Sequence, residues 1–141
     1  MGLRSWLHRL TAPPLQGMES TRDIGEVKLI CMVNHGLKMG KGKIAAQVGH
    51  AAVIAALKAI ENSPAIFEMW RSQGQSKVVL KATDSTEIEE ILQLAEQNGV
   101  AVCKVHDAGR TQIPSGSLTV GVIGPAGADE LETFTGHLKL L

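Results

Sequence analysis

The chain has 141 residues, a length that suits one domain, and 44% are hydrophobic, enough for a core of ordinary size. Aromatic residues make up 3% and Tyr is absent, which argues against a platform for stacking bases. A formal net charge of zero argues against a generally basic nucleic-acid coat.

Residues 1–25 stand apart from the rest. Leu3, Trp6, Leu7 and Leu10 fall at helical spacing with Arg4, His8 and Arg9 between them, no acid precedes Glu19, and Pro13-Pro14 ends any helix. The segment is either a short organelle-targeting or membrane-surface helix, or an unstructured tail. Charge breaks its apolar run, which disfavours a secretory signal. "MGLRSW" lacks the Ser or Thr of the myristoylation pattern.

From residue 26 onward, strands and helices alternate. "VKLICMV" is nearly continuous in apolar residues, as in a sheet covered on both faces. An Ala-rich helix is predicted over about 43–61. Ser63-Pro64 starts a short helix with Phe67 and Trp70 one turn apart, and Gly74 ends it. "KVVLKA" is a second strand. Asp84 and Glu87 open a helix with the apolar stripe Ile88, Ile91, Leu92 and Ala95, stopped by Gly99. "VAVCKV" is a third strand. "SLTVGVIG" is a fourth, with Leu118, Val120 and Val122 expected on one face and Ser117, Thr119 and Gly121 on the other. A last helix covers about 128–138. The expected fold is a single α/β domain over 26–141, a mixed four-stranded sheet with helices packed on both faces. Cys31 and Cys103 lie in strand-like runs and read as buried thiols of a reducing compartment, not a disulfide. No Cys or His cluster has zinc spacing. No apolar run approaches the roughly 18 residues of a membrane span, so no spanning segment is expected.

"GLKMGKGKIAAQVGH" follows the first strand and opens the first helix. Its G-x-G-x-x-A pattern suggests a dinucleotide site, but the next strand starts at Lys77, too far on for the acidic partner. Lys43 is followed by Ile44, so the turn also fails the P-loop pattern. A simpler reading is an anion site: two glycines allow close backbone approach, a helix N-terminus favours anions, and Lys38, Lys41 and Lys43 add charge. The alternative is a Gly-rich turn with solvated lysines. Lys43, Gln47 and His50 are spaced to share one helix face.

The loop "HDAGRTQIPSG" after the third strand crowds together Asp107, Arg110, Thr111 and Gln112. If the first and third strands run parallel, this loop leaves the same sheet edge as the lysine turn, where α/β proteins place ligands. Asp107 then faces Lys41, with Thr111 and Thr119 converging. The alternative is that Asp107 and Gly109 only shape a turn.

"LKMGKGKIAAQVGHAA", "KVVLKA", "DAGRTQI", "GSLTVGVIGP" and "TGHLKLL" together resemble the type II peptidyl-tRNA hydrolases of archaea and eukaryotes, over about 27–141. The resemblance implies a mixed four-stranded α/β domain, usually a homodimer. It implies cleavage of the ester between a peptide and the terminal ribose of tRNA, without a metal or other cofactor. It matches the family's Lys to Lys41, its Asp to Asp107, its threonines to Thr111 and Thr119, and its His to His50. Lys38, Lys43, Gln47, His50, Arg110 and Gln112 are then the expected tRNA contacts. A non-enzymatic adaptor that keeps the fold is the alternative. The expected location is cytoplasmic, with mitochondrial or membrane association through residues 1–25. Two departures stand out: "NHGL" puts Asn34 and Gly36 where the family usually has Arg and Asp, and "QIPSGS" replaces the more usual Q-I-A-P-G.

Overall fold

Strand β1 (Val27–Asn34) is buried along nearly its whole length, as its apolar run requires. The computed structural model describes residues 24–109 and 113–141, so readings on residues 1–23 and on Arg110, Thr111 and Gln112 lie outside the described residues. A 3₁₀ turn (His35–Leu37) leads to helix α1 (Lys41–Asn62). The buried line of α1 runs Gln47, Ala51, Ala55 and Ala59, four residues apart. These alanines are small, so the helix can lie close on the sheet. By length and composition α1 is apolar enough to cross a membrane, but here one face covers the sheet while Val53, Leu57 and Ile60 stay exposed.

Helix α2 (Pro64–Ser72) begins with Pro at its first position, where the missing N–H costs nothing. Its Trp70 is buried and donates from Nε1 to the Ser76 carbonyl at 2.9 Å. Strand β2 (Lys77–Ala82) precedes helix α3 (Ser85–Gln97). Asp84 caps α3 by accepting from the Glu87 amide at 2.9 Å, and Glu87 accepts in return from the Thr83 amide. Ile88, Ile91, Leu92 and Ala95 form the buried stripe of α3, as their spacing predicts. Strands β3 (Val102–His106) and β4 (Leu118–Gly127), helix α4 (Ala128–Thr135) and strand β5 (Lys139–Leu140) complete the chain.

The sheet order is β3-β4-β1-β2-β5. β1 and β2 are parallel, and β4 is antiparallel to both β1 and β3, so β1, β2 and β3 end at one edge. The sheet is mixed, as expected, but has five strands rather than four. The last helix stops at Thr135, and Lys139–Leu140 pair with Lys81 and Leu80. A two-residue strand has no periodicity to read. Leu29, Cys31, Val33, Val120 and Val122 form one core layer beneath α1 and α2. Ile30, Met32, Leu80 and Ile123 form the other against α3 and α4.

The alternation expected in β4 fails at one place. Val105 pairs with Val120 and His106 with Leu118, so Thr119 is an extra residue on β4. Such a bulge resets which way side chains point. Leu118 falls on the α3 side, while Val120 and Val122 fall on the α1 side.

Cys31 and Cys103 each stand opposite Val122 from neighbouring strands, so a whole strand separates them, and both are free. Burial, reinforced by Cys103 and opposed by Lys77, pushes the Cys31 thiol from 9.0 up to about 12. The unfolded chain loses this proton near pH 9 and the fold keeps it, so stability falls as pH rises from 9 to 12. The expected slope reaches about 1 kcal/mol per pH unit. Unfolding measured across that window should be flatter in Cys31→Ala; equal slopes would contradict the assignment.

Candidate active site

Because β1 and β3 are parallel, the turn after β1 and the loop after β3 leave the same edge, on either side of β4. The N-terminus of α1 sits there, with Gly40 as an N-cap that offers no side-chain acceptor. The first-turn amides of α1 therefore have no intrahelical partner and favour an anion or a developing oxyanion.

Asp107 lies just past the end of β3, with its side chain wholly buried. Its Oδ1 takes an ion-paired hydrogen bond from Lys43 Nζ. Its Oδ2 accepts from the Gly109 amide at 3.1 Å, closing a turn of the Asx type. Its backbone is fixed as well: the amide donates to the Ser117 carbonyl at 2.9 Å, and the carbonyl accepts from Gly116 at 3.1 Å. Gly109 has φ +81° and a Cβ there would come within 2.5 Å of Ser115 Oγ, so the turn requires glycine. Turn chemistry and site chemistry thus use different oxygens of one carboxylate.

One helical turn below Lys43, Gln47 is buried and donates from Nε2 to Thr119 Oγ1 at 2.9 Å. Thr119 in turn donates to the Val105 carbonyl at 3.0 Å. The bulge puts this hydroxyl on the α1 side, where regular alternation from Val120 would have turned it away. Lys43 and Gln47 are i, i+4 neighbours on α1 and meet residues from β3 and β4 in pairs.

Of the residues expected from sequence, the structure brings Lys43, Gln47, Asp107 and Thr119 together. Lys41 is a correction: Asp107 pairs with Lys43, two residues on. Lys41 instead lines an apolar cavity of about 570 Å³ with Ile44, Val48, Val79 and Leu141. Two residues along a helix turn a side chain about 200° around the axis, so only one of the two lysines can face the β3 loop. The i, i+4 spacing of Lys43 and Gln47 carried the signal for the right one. His50, seven residues from Lys43, is exposed, and its side chain makes no hydrogen bond among the described residues. Lys38 is exposed at the left-handed end of the 3₁₀ turn, with φ +51°. Arg110, Thr111 and Gln112 lie outside the described residues. Sequence reasoning did not anticipate that Asn34, buried at the end of β1, donates from Nδ2 to the Leu118 carbonyl at 2.9 Å, tying β1 to the residue before Thr119.

Comparisons with known proteins bear on what such a site does. Residues 27–141 match the family model described as peptidyl-tRNA hydrolase PTH2. A bovine (Bos taurus) relative, "Peptidyl-tRNA hydrolase 2, mitochondrial", is 49% identical over 116 residues, 82% of this chain and 65% of that protein. The human counterpart is 48% identical over 84% of this chain and 66% of its own length. A "Peptidyl-tRNA hydrolase" of the archaeon Thermococcus onnurineus is 42% identical over 81% of this chain and 97% of that protein. The chain therefore spans slightly less than two thirds of the mammalian relatives, but nearly all of the archaeal one.

Proposed function

The chain belongs to the peptidyl-tRNA hydrolase PTH2 family, and from that premise we propose that it hydrolyses the ester joining a peptide to tRNA. The observation that carries the reading is the Lys43–Asp107 pair, set beside the first turn of α1 and buttressed by Gln47 and Thr119. In the proposed reaction Asp107 orients a water and takes its proton as the oxygen bonds to the ester carbonyl carbon. Lys43 and the first-turn amides stabilise the resulting oxyanion. The intermediate collapses by breaking the bond to the ribose oxygen, which leaves with a proton. The products are a peptide acid and tRNA with a free hydroxyl. Thr111, four residues from Asp107, shares the positioning of water. Lys43 takes the role that the motif match gave to Lys41. Lys38, His50, Arg110 and Gln112 serve tRNA binding.

Three further parts belong to the proposal. The chain forms a homodimer, supported by the exposed apolar Val53, Leu57 and Ile60 on α1. Residues 1–25 are an extension that associates with mitochondria or a membrane surface, in keeping with the mitochondrial names of the mammalian relatives. Residues 26–141 form the hydrolase domain. Ile24 packs into the core layer under α1, so the boundary for a stable fragment lies just before it.

The test is cleavage of peptidyl-tRNA by the purified chain. Release of tRNA and free peptide is expected, and no release would refute the reading. A chain truncated to begin at Asp23 should keep its turnover within about tenfold, or about 1.4 kcal/mol of barrier. A larger loss would place part of the segment at the site.

A further inference from the structure

We propose that a second cavity at the same sheet edge is a binding site for backbone phosphates of the RNA substrate, distinct from the Lys43–Asp107 centre. The proposal rests on peptidyl-tRNA being the substrate. The cavity, of about 490 Å³, is lined by His35 and Lys38 from the turn after β1, Lys81 of β2, His137 and Lys139 around the start of β5, and Glu87 of α3. Five of these six side chains are basic or imidazole groups. The three ammonium groups outnumber the single acid, Glu87, one of whose oxygens accepts from the Thr83 amide at 2.9 Å.

The distribution of free cations singles out this place. Six of the ten described lysines and arginines are engaged. Lys28, Lys43, Arg71 and Lys104 are in ion pairs. Lys58 bonds the Val102 carbonyl, and Lys77 bonds the Gln75 carbonyl and sits over Trp70. Among the described residues, the side chains of Lys38, Lys41, Lys81 and Lys139 are left without an ion pair or hydrogen bond. Three of those four line one cavity. In a chain of zero net charge, gathering unpaired ammonium groups is electrostatically unfavourable until an anion joins them.

The fold brings them together by tertiary contacts. β5 pairs Lys139 with Lys81 across the sheet. The turn carrying His35 and Lys38 approaches the β2–α3 link so closely that a Cβ on Gly36 would lie 2.8 Å from the Thr83 carbonyl. From the end of β2 to the end of β3 is three strand spacings, about 14 Å. Lys41, at the start of α1, lies between the two sites in the chain path. A polyanion with a phosphate on every nucleotide can touch both places at once, whereas a lone small anion can touch only one.

The experiment uses the full chain with deacylated tRNA and with peptidyl-tRNA, over a series of salt concentrations. Lys81→Ala/Lys139→Ala should weaken tRNA binding about tenfold and reduce the salt slope by about two. KM should rise by the same factor, while kcat moves less than about twofold. Lys38→Ala, on a separate element, should reduce the slope by about one. Lys81→Arg/Lys139→Arg should restore binding. Arg71→Ala/Lys104→Ala removes two cations elsewhere and should leave the slope alone. Wild-type affinity and slope in the Lys81/Lys139 and Lys38 alanine variants would overturn the site while leaving the hydrolase reading intact. Equal losses in the Arg71/Lys104 control would also overturn it, since net charge would then account for the effect. A wild-type chain that binds tRNA with this Lys81/Lys139 dependence but fails to cleave peptidyl-tRNA would overturn the hydrolase reading and keep the site.

Discussion

Asp107→Asn is expected to lower kcat by about 10² to 10⁴, the range typical of losing a positioned general base. Asn keeps the size of Asp and one acceptor oxygen, so it can still close the turn onto the Gly109 amide. Its other group becomes an amide that faces the Lys43 ammonium, donor against donor, where Oδ1 now accepts. Some stability should be lost, about 1–3 kcal/mol for a buried polar group deprived of its partner. The two effects separate when thermal unfolding and single-turnover cleavage of peptidyl-tRNA are measured on the same samples. If Asp107 only shaped a turn, kcat per folded molecule would stay at the wild-type level.

Lys43→Ala is the second large effect, and it reaches stability as well as rate. The Asp107 side chain has no exposed surface, so its carboxylate would be left in the interior without the ammonium that now faces it. Removing one member of a buried pair commonly costs about 3–5 kcal/mol. Lys43 is itself partly exposed, which puts the expectation at the lower end of that range. kcat should fall by about 10² to 10³ through loss of oxyanion stabilisation. Lys43→Arg keeps the charge and should recover most of the stability, though not the geometry of a single ammonium point. Lys41→Ala should change kcat less than about threefold, since Lys41 lines the apolar cavity by Leu141. The Asp107→Asn/Lys43→Ala double variant should lose less rate than the product of the single losses, because the two groups act as one unit. A kcat that drops with Lys41→Ala and survives Lys43→Ala would reverse the assignment of the two lysines.

The element order was legible in the chain because it is written in local patterns. The apolar run of β1, the stripe Ile88, Ile91, Leu92 and Ala95, the Asp84–Glu87 cap and the proline at the start of α2 each act within a few residues. The mixed sheet and the placing of Asp107 beside the α1 turn follow from such elements once β1 and β3 are parallel. β5 escaped because two residues carry no period; its strand exists only through pairing with β2.

Which lysine meets Asp107 was decided by the rotation of α1 on the sheet. That rotation follows from the line Gln47, Ala51, Ala55 and Ala59 packing against strands far away in sequence. The direction of Thr119 was decided by one extra residue in the β4 register, which no alternation rule contains. The cluster of Lys38, Lys81 and Lys139 joins residues as much as 101 positions apart, and only sheet pairing and the close approach at Gly36 bring it together. Local sequence thus determined which elements form and which chemical groups the chain possesses. Tertiary packing chose among neighbouring candidates, because facing and register depend on contacts between segments that no local spacing records.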